Sequence, residues 1–392
     1  MSDCQSTFSL GREELVFVKK ETNCNTLVVP AATDVVMVTG GLEPAFAPER
    51  LDDEQKRDTM SHEAAITGRA TPGTWTLNAY LKPSGGATTE PEIHALLEAG
   101  LGVDVVDATD RLRYALGTTF DTLSIWRKVG HTVYAFGGCI VQKYQFDIAG
   151  EDFARVQISG QFMQRYFAGY SAADGAVAED ATTVDVTGGT GGRFSVGAYI
   201  QLGTDTNTGA GYKITEITAD EITFTPQAAA GCSSADIIRG LYPTTYTEVG
   251  DPVHGKVGQA TLNGSSWNIL TAQVIVNTGL VLYDNIKNNS LYASAYGAPG
   301  RRDVETTITA YADYANTEFH DRLDDNTQSA IIVPAGSTVP NIVTLYVPQF
   351  EIYEDPTPAG EDEMVQTFSG RGVATTTHDD EFKIIYGKAA DA

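Results

Sequence analysis

Histidine, methionine, tryptophan and cysteine are all scarce in this chain of 392 residues, which has six His, five Met, three Trp and four Cys. None of His62, His94, His131, His254, His320 and His378 lies at metal-ligand spacing from another His or a Cys, so a His- or Cys-built metal centre is not expected. Cys4, Cys24, Cys139 and Cys232 are far apart and form no CxxC pair. They read as free thiols of a cytoplasmic product, with Cys139 in a buried strand. No apolar run approaches the length of a membrane span. The opening MSDCQSTFSLGREEL has neither a basic n-region nor an apolar h-region, so no secretory leader is expected. Basic residues are also short: 26 Lys and Arg against 51 Asp and Glu, a formal net charge of −25. Such a balance excludes a protein that wraps DNA, which needs a basic surface. It is compatible with a passage along which DNA slides without sticking.

Sustained helical periodicity is rare, whereas Gly, Thr, β-branched and aromatic residues are plentiful. These predict a folded, mainly β protein, long enough for two or three domains. One signature occurs twice. AGEDFARVQISGQF begins at Ala149 and AGEDEMVQTFSGRG at Ala359, each after a β-rich run (HTVYAFGGCIVQKYQFDI and NIVTLYVPQFEIYEDP). Upstream, TWTLNAY from Thr74 matches ETTITAY from Glu305, each shortly after a Pro-Gly and before a short helix-like stretch containing a His. The order strand, helix, strand, turn, strand is therefore duplicated, as in a building block for a symmetric assembly.

Residues 8–40 read as an entry strand pair. Residues 43–69 are too charged for a core strand and too long for a hairpin loop. Their charges alternate in sign around Asp52, Asp53, Glu54, Lys56, Arg57 and Asp58. They form either a solvated loop or short surface helix, or an arm docked on a neighbouring subunit. A strand at 74–81 is followed by the best helix, 90–102, with Ile93, Leu96, Leu97 and Leu101 on one face and Gly102 as its C-cap. Strands around 119–128 and 131–148 form a hairpin at Val129-Gly130, and 154–163 pairs next. Residues 172–240, flanked by small-residue linkers, predict a small barrel-like meander with strands at 184–186, 199–202, 212–217 and 221–224, inserted as a surface decoration. Beyond it come strands at 267–276, 304–312, 342–353, 364–375 and 382–386, with a short helix at 316–323. The resulting division is 1–170, 171–243 and 244–392.

No catalytic constellation emerges. His94 and His320 occupy matching places beside apolar helix faces and read as packing. Ser159-Gly160 and Ser369-Gly370 recur outside any nucleophile elbow. GGTGG at Gly188–Gly192 lacks the Lys-Ser/Thr of a phosphate loop and reads as turn chemistry. The repeated Glu151-Asp152 and Glu361-Asp362 follow Ala-Gly and read first as turns, with a divalent cation as the other use of such pairs. Asp205, Asn207 and Asp220 are turn formers. An enzyme, a cofactor and a metal are all unexpected.

The string GTWTLNAYLKPSG, the helix ending in LLEAGLG, and HTVYAFGGCIVQKYQFDIAGEDFARVQISGQF resemble the tail tube (major tail) proteins of long, non-contractile-tailed phages. FSLGREELVFVKKE near the start, and VPQFEIYEDP with FKIIYG near the end, are similar to the ends of that family. The resemblance covers both copies and not the insert. It implies two tandem tail-tube-like β-sandwich domains, each with a short helix, plus a small inserted β module on the exterior. It implies a structural virion protein of the phage tail, assembled in the host cytoplasm. Stacked rings of such chains form a conduit for DNA at ejection, and the DNA passes without specific binding. Partners implied are the chain itself, the tape measure protein and tail terminator or tail tip proteins, with no membrane. The duplication departs from the commoner single-domain subunit. It implies a trimeric ring with pseudo-sixfold symmetry, a hexamer being the other arrangement. The long charged segment becomes an inter-ring arm.

Other classes share this composition. A baseplate hub or a capsid decoration protein has the same β character. A tail-tip glycan hydrolase needs a pocket with two carboxylates about 5–10 Å apart, and no sequence feature singles out such a pair. The insert alone suits a sugar-binding module, with Tyr199, Tyr212 and Phe224 as stacking faces, although core packing explains these rings better.

Overall fold

A computed structural model of the chain describes residues 13–46, 48–51, 66–85, 89–107, 111–255, 260–283, 293, 295–298, 300–311, 327–353, 365–376 and 378–387. The first part contains β1 (Leu15–Lys20), β2 (Val35–Val36), β3 (Val38–Ala45), β4 (Pro48–Leu51), β5 (Ile66–Ala70), β6 (Gly73–Tyr80), α1 (His94–Leu101), β7 (Gly102–Asp107), β8 (Arg111–Leu116), β9 (Leu123–Val129), β10 (Thr132–Ala149), β11 (Arg155–Phe162) and β12 (Gln164–Ala168). The middle carries β13 (Tyr170–Ala172), β14 (Thr183–Asp185), β15 (Tyr199–Leu202), β16 (Tyr212–Ile217), β17 (Glu221–Thr225) and β18 (Ile237–Gly240). The last part contains β19 (Thr261–Leu262), β20 (Ser265–Ser266), β21 (Ile269–Asn277), β22 (Val281–Tyr283), β23 (Ala295–Gly297), β24 (Asp303–Tyr311), β25 (Ser329–Thr338), β26 (Asn341–Ile352), β27 (Val365–Gly372) and β28 (Lys383–Tyr386). With 55% strand and 6% helix in large antiparallel sheets, the chain is mainly β, as its composition predicts.

Strand β10 is long enough to serve two sheets. Its first half pairs with β9 and β12. Its second half pairs with β11 on one side and β21 on the other. The strand turns at a bulge between Phe136 and Cys139, where Gly138 adopts φ +62°. Glu21, at the end of β1, fixes this corner. Its carboxylate accepts hydrogen bonds from the backbone N–H of Gly138 (2.9 Å) and Asn25 (2.8 Å) and from the hydroxyls of Thr122 (2.7 Å) and Ser124 (2.9 Å). The side chain is only 5% exposed, and burial pushes its carboxyl above the usual range although the four donors pull the other way. Replacing Glu21 with alanine strands four donors and is expected to cost about 3 kcal/mol in chemical denaturation. The folded-state pKa lies above the unfolded one, so the carboxyl's contribution is complete at low pH and declines as pH rises through the raised value. Against the non-titrating Glu21→Gln variant, the wild type should therefore lose relative stability as pH rises from about 4.5 through the raised value. A pH-independent difference would contradict this.

The helix is shorter than its sequence pattern suggests. Pro91 closes a turn with the N–H of His94, and α1 begins only there. Leu96, Leu97 and Leu101 are buried, and Gly102 at φ 95° ends the helix in the left-handed conformation expected of it. Residues 43–69 are not one unstructured loop, contrary to the reading of their charge pattern. Strand β3 runs on to Ala45 against β6, and β4 pairs with β5. Backbone hydrogen bonds form a hairpin whatever the charge of its residues, which is why composition hid it. Cys139 is buried and free, as expected. Strands β7, β8 and β25 were not expected from the sequence, although RLRYAL in β8 alternates, with Leu112, Tyr114 and Leu116 buried. Strand β8 joins β28, and β25 joins β26.

The insert forms a six-stranded sheet in the order β13-β18-β15-β16-β17-β14. A bridge between Ala173 and Val186 ties its two edges together, giving the barrel-like closure. It has its own core around Ile200, Tyr212, Ile222, Phe224 and Ile238. Tyr212 and Phe224 are fully buried there and offer no stacking face. The two copies, by contrast, share one continuous core that includes Trp75, Leu77, Ile158, Val274, Ile308, Phe350 and Phe368.

Candidate assembly interface

The duplication visible in the sequence extends to the ladders. In the first copy β11 lies between β10 and β6, and β3 flanks β6. In the second copy β27 lies between β26 and β24, and β21 flanks β24. The registers match residue for residue: Gly160 opposes Trp75 and Ser159 opposes Thr76, while Gly370 opposes Thr306 and Ser369 opposes Thr307. Leu42 opposes Leu77 as Ala272 opposes Ile308, and β3 and β21 each carry an irregularity just before that pair. Each copy thus supplies a four-stranded unit, β3-β6-β11-β10 and β21-β24-β27-β26.

The two units join edge to edge. Seven pairs, from Lys143 opposite Asn277 to Ala149 opposite Thr271, link the last strand of the first unit to the first strand of the second. Strand β3, the counterpart of β21, pairs on its other side with no strand among the described residues. An unpaired edge of this kind templates further strands unless it is guarded. Here it is guarded at two points. The N–H of Leu42 donates to Glu14 Oε1 at 2.7 Å, and Arg127 holds that carboxylate through two contacts of 2.8 and 3.1 Å. Pro44 has no N–H to offer.

The joined sheet has one apolar and one polar face, set by strict alternation along each strand. Trp75, Leu77 and Ala79 point into the core, while Thr74, Thr76 and Asn78 point out. The outer face is rich in hydroxyls and amides. Gln157 donates to Asn78 (3.0 Å), and Asp147 accepts from Gln145 (3.1 Å) and from Gln273 of the second unit (2.7 Å). Arg371 is paired with Glu351 at 2.8 Å. Among the described residues neutral donors dominate this face, and beside the paired Arg155 and Arg371 it carries the cation Lys143 on β10.

The sequence-predicted residues fall in two groups. Asp52, Asp53, Glu54, Lys56, Arg57 and Asp58, which follow β4 in the chain, lie outside the described residues, as do Glu361 and Asp362. Glu151 and Asp152 sit in the turn between β10 and β11, as the AGED string suggested. Asp152 accepts from the N–H of Phe153 (2.8 Å) and from Arg155 (2.6 Å). Those contacts, the Phe153 N–H foremost, lower its pKa. Its oxygens serve the turn, and no cluster suited to a metal ion occurs among the described residues. Sequence reasoning missed the matching roles of β3 and β21, because the two strands share no residues beyond a common register. No helix among the described residues is long and apolar enough to cross a membrane. No family model matches the chain, and no curated protein matches it either.

Proposed function

We propose that this chain is a structural subunit of a phage tail tube, of the long non-contractile kind, that polymerises as stacked rings and has no enzymatic role. The observation that carries this reading is the β10–β21 ladder. Two copies of one sheet unit already join edge to edge within the chain, and a ring extends the same junction between chains. The guarded edge of β3 keeps a free subunit from pairing indiscriminately, and release of Leu42 from Glu14 opens that edge for a neighbour. The polar sheet face lines the channel, through which DNA passes without specific binding. In the virion the tube meets a tape measure protein inside and tail terminator or tail tip proteins at its ends.

The test is stoichiometry. Cryo-electron microscopy of polymerised protein should resolve three chains per ring and six sheet units around one axis. A ring of six chains with twelve units, or with only one unit per chain in the wall, would refute the trimer. Protein that gives single closed rings and no rods at any concentration would favour a hub instead.

A further inference from the structure

The insert and the segment between β1 and β2 enclose an open cleft of about 1000 Å³. Its floor is a cross-strand row. Tyr199 on β15 opposes Lys213 on β16, which opposes Thr225 on β17, so the three side chains lie side by side on one sheet face. The loop at Asn207–Gly211 overhangs the row, and Tyr242 and residues 28–32 form the opposite wall.

Three features of this row call for a ligand. First, no Asp or Glu lines the cleft, although the chain has 51 of them and a net charge of −25. Second, the Lys213 ammonium makes no ion pair or hydrogen bond among the described residues. Third, Tyr199 is half-buried and rests on Trp126 (ring centroids 6.0 Å apart), yet its hydroxyl has no hydrogen-bond partner among the described residues. Behind the wall, Lys128 and Arg239 approach the Tyr242 ring at 5.0 and 5.5 Å and add to the positive potential.

We propose that this cleft binds an acidic saccharide, such as a uronate-containing chain of two to four sugars. Lys213 pairs with the carboxylate. Tyr199 provides a rigid aromatic platform and a hydroxyl. Thr225 and the free side-chain oxygen of Asn207, whose amide nitrogen is engaged with Gly211 O at 3.2 Å, hydrogen-bond to sugar hydroxyls. A cleft of this size suits a ligand of that length. A peptide added as a strand is disfavoured, because β15, β16 and β17 are all interior strands with both edges paired. The site is complete within one chain and works the same in a free subunit or an assembly, so its failure would leave the ring reading intact.

The test is titration of the full-length protein, by calorimetry and saturation-transfer NMR, with tetrasaccharides of galacturonate, guluronate and glucuronate-containing hyaluronate, and with a neutral galactotetraose. At least one acidic tetrasaccharide should bind, and binding should weaken as salt rises. Lys213→Ala, at an exposed position, should weaken it about tenfold. Tyr199→Phe should weaken it less, and Tyr199→Ala should abolish it. Unchanged circular dichroism and melting separate these effects from misfolding. No binding by any acidic tetrasaccharide, equal binding of the neutral one, or full affinity in Lys213→Ala would each overturn the proposal.

Discussion

Alanine at Gly160 should prevent the chain from folding, and alanine at Gly370 should do the same. These are the glycines of the two Ser-Gly pairs, and they occupy equivalent places on β11 and β27. A Cβ built on Gly160 would lie 1.9 Å from the carbonyl oxygen of Ile140 and 3.0 Å from the Trp75 ring. On Gly370 it would lie 2.1 Å from the carbonyl oxygen of Glu351 and 2.7 Å from the Phe350 ring. In both cases the nearest atom is backbone in the adjoining strand, which cannot rotate away. Relief requires the strands to separate, breaking the ladder and unpacking a buried aromatic ring. The expected cost is about 4 kcal/mol or more at each site, comparable to a domain's whole stability. Gly150, in the AGED turn, is the control. A Cβ there meets only the Leu270 carbonyl oxygen at 3.6 Å, an ordinary contact, so Gly150→Ala should change stability by no more than about 0.5 kcal/mol. Soluble expression and thermal melting decide. A Gly160→Ala protein melting within about 2 °C of wild type would sink the idea.

That contrast shows what the repeat meant. The AGED string is the more conspicuous half of the signature, because a turn needs small and acidic residues in a fixed order. The Ser-Gly half is shorter, yet it is where both copies need an absent side chain. The alternation in β6, β24 and β27 was readable because each strand has one buried and one open face, so the period of two is printed in the sequence. Strand β25, SAIIVPAGST, hides it, because Ile331 through Ala335 are buried in unbroken succession. The helix was readable from its apolar stripe and Gly102, but its start was not, since Pro91 makes a turn that the stripe cannot reveal. The saccharide cleft was half legible. Tyr199 stood out as an aromatic, but its relation to Lys213 and Thr225 is a matter of register between strands, and a single sequence carries no register. The junction β10–β21 was illegible for the same reason.

Cutting back the β4–β5 hairpin should leave the subunit folded and abolish long tubes. Strands β4 and β5 pair with each other, from Pro48 opposite Ala70 to Leu51 opposite Ile66, and with no other strand among the described residues. An isolated two-stranded hairpin is marginal in water, and ordering it costs conformational entropy that its own ladder barely offsets. A chain that keeps such a hairpin gains from it elsewhere, and under the proposed tube assembly a contact with another subunit supplies that gain. The residues between β4 and β5 in the sequence include Asp52, Asp53, Glu54, Lys56, Arg57 and Asp58, whose mixed signs suit pairing across a junction between like rings. Each exposed pair contributes on the order of 0–1 kcal/mol, but a ring repeats every one of them with its symmetry. Replacing residues 52–65 with an Asn-Gly turn removes those charges and leaves β3 and β6 untouched. Melting should then stay within about 2 °C of wild type, because β4 and β5 pair with no strand of the large sheets among the described residues. Negative-stain images should show free subunits or single rings in place of rods. In the intact protein, rods should shorten as salt rises toward 1 M, where screening acts over about 3 Å. Rods of normal length from the trimmed protein would show that the hairpin makes no contact between rings.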